Sequence, residues 1–207
     1  MTSAELTPGV GDDAVPLSER GPAPKRVVVG FGFWLFLLSD IILFAGLFAT
    51  YAVLSDAVAG GPSGPTLFDR SRVFTETLCL LVSSVTCGFG LLAIQRRHAM
   101  LAYVWMFATF VLGALFLKQE IAEFSAMVAL GAGPTRSAFL SSFYTLVGTH
   151  GIHVTAGLAW LLGMIAQLLT LGFAPMVQRR FFCFALFWHA LDIVWIGVFT
   201  VVYLGAH

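Results

Sequence analysis

Five long apolar segments, at about residues 27–54, 73–94, 99–129, 138–171 and 181–204, occupy most of the chain from Val27 onward. Each meets the length of about 20 residues that a helix needs to cross a hydrocarbon layer of about 30 Å. The composition agrees: hydrophobic residues make up 58% of the 207 and charged residues only 11%, against about 25% charged in a soluble domain. That much charge cannot cover a water-facing surface. The fold class expected is therefore all-α, a polytopic membrane protein with five transmembrane helices in an antiparallel bundle. A nucleic-acid partner is not expected, because 11 basic residues balance 11 acidic ones and no Lys/Arg run exceeds two.

The separators support the same division. Ser55 to Arg72 carries Gly60-Gly61-Pro62 and Gly64-Pro65, Gln95-Arg96-Arg97-His98 follows span two, Gly131 to Arg136 follows span three, and Pro175 to Arg180 precedes span five. Connections this short make neighbouring helices antiparallel. Residues 1–26 hold four of the eight prolines and no apolar run, so they are expected to form a disordered arm. With Glu5, Asp12, Asp13 and Glu19 in place of a basic start and an apolar stretch, the arm does not read as a secretory signal. The remainder, 27–207, is the membrane domain.

The distribution of basic residues predicts the orientation. The amino terminus and the second and fourth breaks share one side, which carries Arg20, Lys25, Arg26, Arg96, Arg97, Arg179 and Arg180, whereas Arg70, Arg72 and Arg136 lie on the other. The positive-inside rule then puts the amino terminus in the cytoplasm and the carboxyl terminus outside. Cys79, Cys87 and Cys183 all fall in apolar spans without a CxxC spacing and read as small buried thiols.

Charged residues inside the spans are Asp40, Glu76, Lys118, Glu120, Glu123 and Asp192. Asp40 and Asp192 stand about 16–20 Å into their helices at ~1.5 Å per residue, and His150, His153 and His189 are also deep. Glu76 lies within a turn of its span's outer end and is expected at a wet interface. Glu120 and Glu123 fall late in an overlong segment, so a wet interface and an interior position are both open to them. In span four, Gly151, Thr155, Ala159 and Gly163 recur every four residues, a small-xxx-small pattern that admits another backbone. His150 and His153 project to nearly the opposite side. In span five, His189, Asp192, Thr200 and Tyr203 share a polar stripe beside Trp188 and Trp195.

Three readings compete for these groups. A redox site needs more than is present, since no Glu-x-x-His occurs and His150 and His153, three residues apart on one helix, suit a shared neighbour better than the two faces of a haem. A proton or solute pathway would use the deep acids, although no span is broken by an internal proline. The third reading is structural pairing: hydrogen bonds among the deep polar groups, and an apolar exterior buried against a larger complex and its lipids.

Three stretches carry a family resemblance. Gly32-Phe33-Trp34-Leu35 with Leu38-Ser39-Asp40 resembles the first conserved-type helix of haem-copper oxidase subunit III. Leu146 to Thr155, with Thr149-His150-Gly151-Ile152-His153, is similar to its Thr-His-Gly-x-His helix, and Phe187 to Trp195, with Trp188-His189 and Asp192, to its terminal Trp-His-x-x-Asp helix. Glu123-Phe124 resembles the family's Glu-Tyr/Phe pair. Within the family the chain most resembles subunit III of cytochrome bo-type ubiquinol oxidases, through Gly60-Gly61-Pro62, Gly133-Pro134-Thr135-Arg136-Ser137 and the closing Val198 to Leu204. Cytochrome c oxidase subunit III usually has seven helices.

The resemblance implies an accessory chain of a proton-pumping oxidase in a bacterial plasma membrane. It implies no catalytic residue, metal or cofactor in this chain, with haem and copper in the partner subunit I and subunits II and IV in the same complex. It also implies bound phospholipid. Asp40 aligns with a family glutamate that reacts with hydrophobic carbodiimide. The residues then expected in an intramembrane polar network or in lipid contact are Asp40, Glu123, His150, His153, His189 and Asp192, with close helix packing at Gly151, Thr155, Ala159 and Gly163. Subunit III of a cytochrome c oxidase and an independent proton-pathway protein are the alternatives.

Overall fold

The computed structural model describes residues 25–60 and 70–205, with side chains from residues 27 and 71 onward. Residues 1–24 of the expected arm lie outside the described residues. Five long helices follow one another: α1 Lys25–Leu54, α2 Arg70–Gln95, α3 Ala99–Ala129, α4 Ala138–Leu171 and α5 Pro175–Val198, the last continuing as a π-helix, Phe199–Leu204. Among the described residues there is no strand. All five are long and apolar enough to cross a membrane.

Helix α5 is the hub. It packs against α1, α2 and α4, while α3 closes the bundle against α2 and α4. Helix α1 docks from outside against α4 and α5, and most of its length is exposed, including Ile42 and Val53. The core lies among α2 to α5, where Trp188, Trp195, Phe116, Phe143, Phe181 and Phe184 are fully buried. Large exposed side chains such as Phe107, Ile121 and Ile193 face outward, as a lipid-facing surface requires and a water-facing one does not tolerate.

Local chemistry sets the helix ends. Helix α4 begins at Ser137, whose hydroxyl accepts the Leu140 amide at 3.2 Å, the usual N-cap arrangement. Helix α3 ends with Ala132 N donating to Met127 O and Gly131 N to Val128 O, Gly131 standing at φ +76°. The turn from α2 to α3 repeats this pattern, with His98 N donating to Ala93 O and Arg97 N to Ile94 O, but with Arg97 at φ +58°. Glycine enters this left-handed region freely and arginine does not.

The start of α5 corrects an expected boundary. Residues 175–180 were expected to form a break, whereas Pro175 opens the helix. Proline at the first helical position has a suitable φ and lacks only an amide that would have no partner there. The connection between α4 and α5 is reduced to Gly172–Ala174, with Gly172 at φ +58°. Gln178, Arg179 and Arg180 thus belong to the first turns of the helix.

Candidate functional site: an interhelical polar interior

Small residues on two helices let α5 into the bundle. The Trp188 indole lies between α3 and α4, where a Cβ on Gly113 would stand 2.9 Å from its Cη2 and a Cβ on Gly157 2.8 Å from its Cζ3. Behind it, Trp188 Nε1 donates to Ser83 Oγ of α2 at 3.1 Å. Two turns on, Trp195 Nε1 donates to Thr77 Oγ1 of the same helix, also at 3.1 Å. Both indoles are thus buried against apolar rings with their single donors satisfied, as buried tryptophan requires.

The deep histidines occupy three different environments. His150 is fully buried; its ring lies 5.0 Å from that of Trp195, 5.6 Å from Phe116 and 6.4 Å from Phe44. Its Nε2 meets the Leu191 carbonyl of α5 at 3.3 Å, while Nδ1 has no hydrogen-bond partner. His153 is half-buried, 5.2 Å from the Phe44 ring, and bonds through Nδ1 to the Thr149 carbonyl one turn back at 2.8 Å. His189 bonds through Nδ1 to Ser84 Oγ of α2 at 2.6 Å. Ser84 also bonds the Asp192 side chain, whose Oδ1 is buried without a partner.

Asp40 stays apart from this network. It is half-buried beside Leu37, Phe44 and Leu191 and makes no side-chain hydrogen bond to the described residues. The sequence places it at the right depth, but the backbone carbonyls of Leu191 and Thr149, and not Asp40, are the hydrogen-bond partners of His150 and His153.

Glu76, expected at a wet interface, is buried, and Glu120 and Glu123, for which interface and interior were both open, lie inside. Glu76, Glu120 and Glu123 are 0%, 2% and 5% exposed, enclosed by α2, α3, α4 and the π-helix. Tyr203 donates its hydroxyl to Glu123 Oε2 at 2.9 Å, and the three carboxyl groups lie within one another's electrostatic reach. Glu120 rests on Gly151, where a Cβ would come within 2.5 Å of its Oε1, and its Oε2 has no hydrogen-bond partner. The physical reason for burial is the helix count around this point: α2 and α4 flank α3, and Tyr203 covers it. Lys118, on the opposite side of α3, is exposed.

Two expected patterns are redistributed. Of Gly151, Thr155, Ala159 and Gly163, only Gly151 is buried; Thr155, Ala159 and Gly163 face outward, and a Cβ on Gly163 would meet nothing within 4 Å. Besides Gly151 against Glu120, close approaches fall at Gly113 and Gly157, because a large indole has to be accommodated there. The span-five stripe also divides. His189 and Asp192 turn toward Ser84 and Tyr203 toward Glu123, whereas Thr200 is exposed and bonds the Ile196 carbonyl. The wider turn of the π-helix rotates Tyr203 away from the face on which α-helical spacing would put it.

Ser83, Ser84 and Thr77 were not expected at this site. Their signal is hydroxyls recurring within one apolar helix, each needing a partner in hydrocarbon. Among the described residues no group of three or more His, Cys, Asp or Glu side chains is placed to hold a metal ion, and the three cysteines are free. The arrangement is one of hydrogen bonds between helices, with ionisable groups enclosed at two depths.

The family model described as Cytochrome c oxidase subunit III matches residues 20–207. A Pseudomonas aeruginosa protein named Cytochrome bo(3) ubiquinol oxidase subunit 3 is 55% identical over 174 residues, covering 84% of this chain and 83% of the relative. A Bacillus subtilis protein named Quinol oxidase subunit 3 is 44% identical over 194 residues, or 94% of each chain. A protein of Bacillus sp. (strain PS3) named Cytochrome c oxidase subunit 3 is 44% identical over 173 residues, covering 84% of each. With a match that spans all five helices, the chain is a multi-pass membrane protein that belongs to the cytochrome c oxidase subunit III family.

Proposed function

We propose that the chain is the accessory subunit III of a quinol-oxidising haem-copper oxidase of the cytochrome bo type, stabilising the catalytic subunit I and holding phospholipid. The observation that carries an accessory role is where the deep polar groups go. His150, His189, Asp192, Trp188, Trp195 and Glu123 all reach a neighbouring helix of the same chain. Bonds of this kind contribute about 0.6 kcal/mol each and rarely reach 2 in a membrane. Together they hold a scaffold whose exterior is apolar and available to a partner. Haem and copper belong to subunit I in this reading, and subunits II and IV complete the assembly.

A hollow of about 180 Å³ at one end of the α1–α5 seam suits a lipid headgroup, being bordered by Gln95, Gln178 and Arg179 above the apolar Phe182. Among the described residues Arg179 has no ion pair, and a phosphate would supply one. The bacterial plasma membrane, with the amino terminus in the cytoplasm, is the location this reading assigns; the basic residues 96–97 and 179–180 would then face inside.

The donor assignment rests on the relatives named as quinol oxidases at 44–55% identity. Cytochrome c as donor is the second reading, favoured by the 44% identical relative from Bacillus sp. (strain PS3). Purifying the tagged chain from gently solubilised membranes separates the two. A copurifying haem- and copper-bearing partner that consumes oxygen with a benzoquinol is the expected result. Activity with reduced cytochrome c alone would transfer the chain to the second reading, and isolation without any haem protein would contradict both.

A further inference from the structure

A groove of about 460 Å³ runs between α1 and α5 at mid-depth, within the usual range for small-molecule sites. Trp34, Phe44 and Phe48 line it from α1, and Ile193 and Val194 from α5. One titratable side chain reaches it, His189, 14 residues beyond Pro175 and therefore about 21 Å along the helix, close to the bilayer centre.

The His189 ring is held from behind. Ser84 Oγ bonds its Nδ1 at 2.6 Å and also bonds Asp192, which ties the imidazole to α2. Its Nε2 makes no hydrogen bond to the described residues. An unpaired polar nitrogen is costly in hydrocarbon, and water does not reach this depth to satisfy it. A phospholipid tail cannot do so either, because its ester and phosphate oxygens stay near the interface. A ligand that pairs with His189 must carry an oxygen on a body apolar enough to dissolve at the midplane. Isoprenoid quinones and quinols are membrane solutes with that chemistry, and their flat rings suit an aromatic wall.

We propose that the α1–α5 groove binds the ring of an isoprenoid quinol or quinone, with His189 Nε2 hydrogen-bonded to a ring oxygen. The nitrogen accepts from a quinol hydroxyl or, in the other tautomer, donates to a quinone carbonyl. The site binds and stores the molecule beside the catalytic subunit; no electron transfer takes place on this chain. The inference rests on the reading of the complex as a quinol oxidase.

Photolabelling of the assembled complex in its native membranes with a short-tailed azidobenzoquinone tests it, the labelled peptides being mapped by mass spectrometry. Label is expected on peptides within 27–54 and 181–204 and is displaced by excess short-tailed benzoquinol. Removing the hydrogen bond in His189→Leu should weaken labelling about tenfold, and His189→Gln, which keeps a polar partner, should hold it within about threefold of wild type. Ala45→Phe fills the groove from α1 with Ser84 and His189 themselves unsubstituted and should abolish the label. Three results would overturn the proposal: no label on this chain, undiminished label in His189→Leu, or displacement by phosphatidylglycerol and not by benzoquinol, which makes the occupant an acyl chain. Haem content of the same membranes after purification of the tagged chain is scored separately. A haem-bearing complex without label refutes the groove site alone, and absence of a haem partner refutes the oxidase reading.

Discussion

Tyr203 shows how one side chain can hold a buried acid in place. Its hydroxyl donates a hydrogen bond to Glu123 Oε2, inside a region where Glu76 and Glu120 are also enclosed. Tyr203→Phe keeps the ring between Trp195 and Phe143 and deletes only the donor. The expected loss is about 0.6–2 kcal/mol, read as a lower thermal midpoint of the purified complex with unchanged helix content. An unchanged midpoint would mean that Glu123 finds an equal partner elsewhere. Steric effects at Trp188 should be larger. Gly157→Leu places a side chain where even a Cβ would be 2.8 Å from the indole, and overpacking of this kind costs about 1–3 kcal/mol or more. Gly163→Leu, on a face with nothing within 4 Å, is expected to leave the isolated chain's stability unchanged. Comparing the two by thermal denaturation in detergent separates the interior of α4 from its exterior.

Individual helices differ in how well their surroundings hold them. The α2–α3 turn places Arg97 at φ +58°, where the α3–α4 turn has Gly131 at +76° in the same hydrogen-bonding pattern. Arg97→Gly should therefore stabilise the turn by about 1 kcal/mol, measured as a raised thermal midpoint; a fall would show that the arginine side chain contributes more than its backbone strain removes. The five spans could be read from apolar length alone, because hydrocarbon thickness is a one-dimensional requirement. Three of the ten boundaries could not, since charged residues at 70–72 and 175–180 look like loop and yet continue α2 and α5 beyond the apolar run, and Lys25 extends α1. The site was partly readable for a related reason. Depth follows from counting residues, so His150, His189 and Asp192 were recognisable as interior groups. Their partners Ser83, Ser84 and Thr77 depend on which helices meet, and that is a property of the bundle. Gly113 and Gly157 became recognisable only once Trp188 was placed, and the π-helix at 199–204 broke the angular projection that grouped Thr200 with Tyr203.

The described residues form a four-helix bundle of α2 to α5 with α1 laid against one side, its core apolar and aromatic with a minority of enclosed polar groups, and its exterior apolar. An apolar exterior of this kind suits a chain that is stable in a membrane and offers a large surface to other subunits. It also predicts what removal of the chain should do. An oxidase complex assembled without this subunit is expected to keep its haem and copper and its initial rate, because the accessory reading assigns the chemistry to subunit I. It should then lose activity over successive turnovers faster than the intact complex, and adding back the purified chain with phospholipid should restore the slower decay. The most direct measurement is therefore the time course of oxygen consumption by intact and subunit-depleted complex at equal haem content. Equal starting rates with faster inactivation of the depleted complex are the predicted result. Loss of the initial rate at full haem content would place catalysis in this chain, and identical time courses would remove its stabilising role; either would contradict the account.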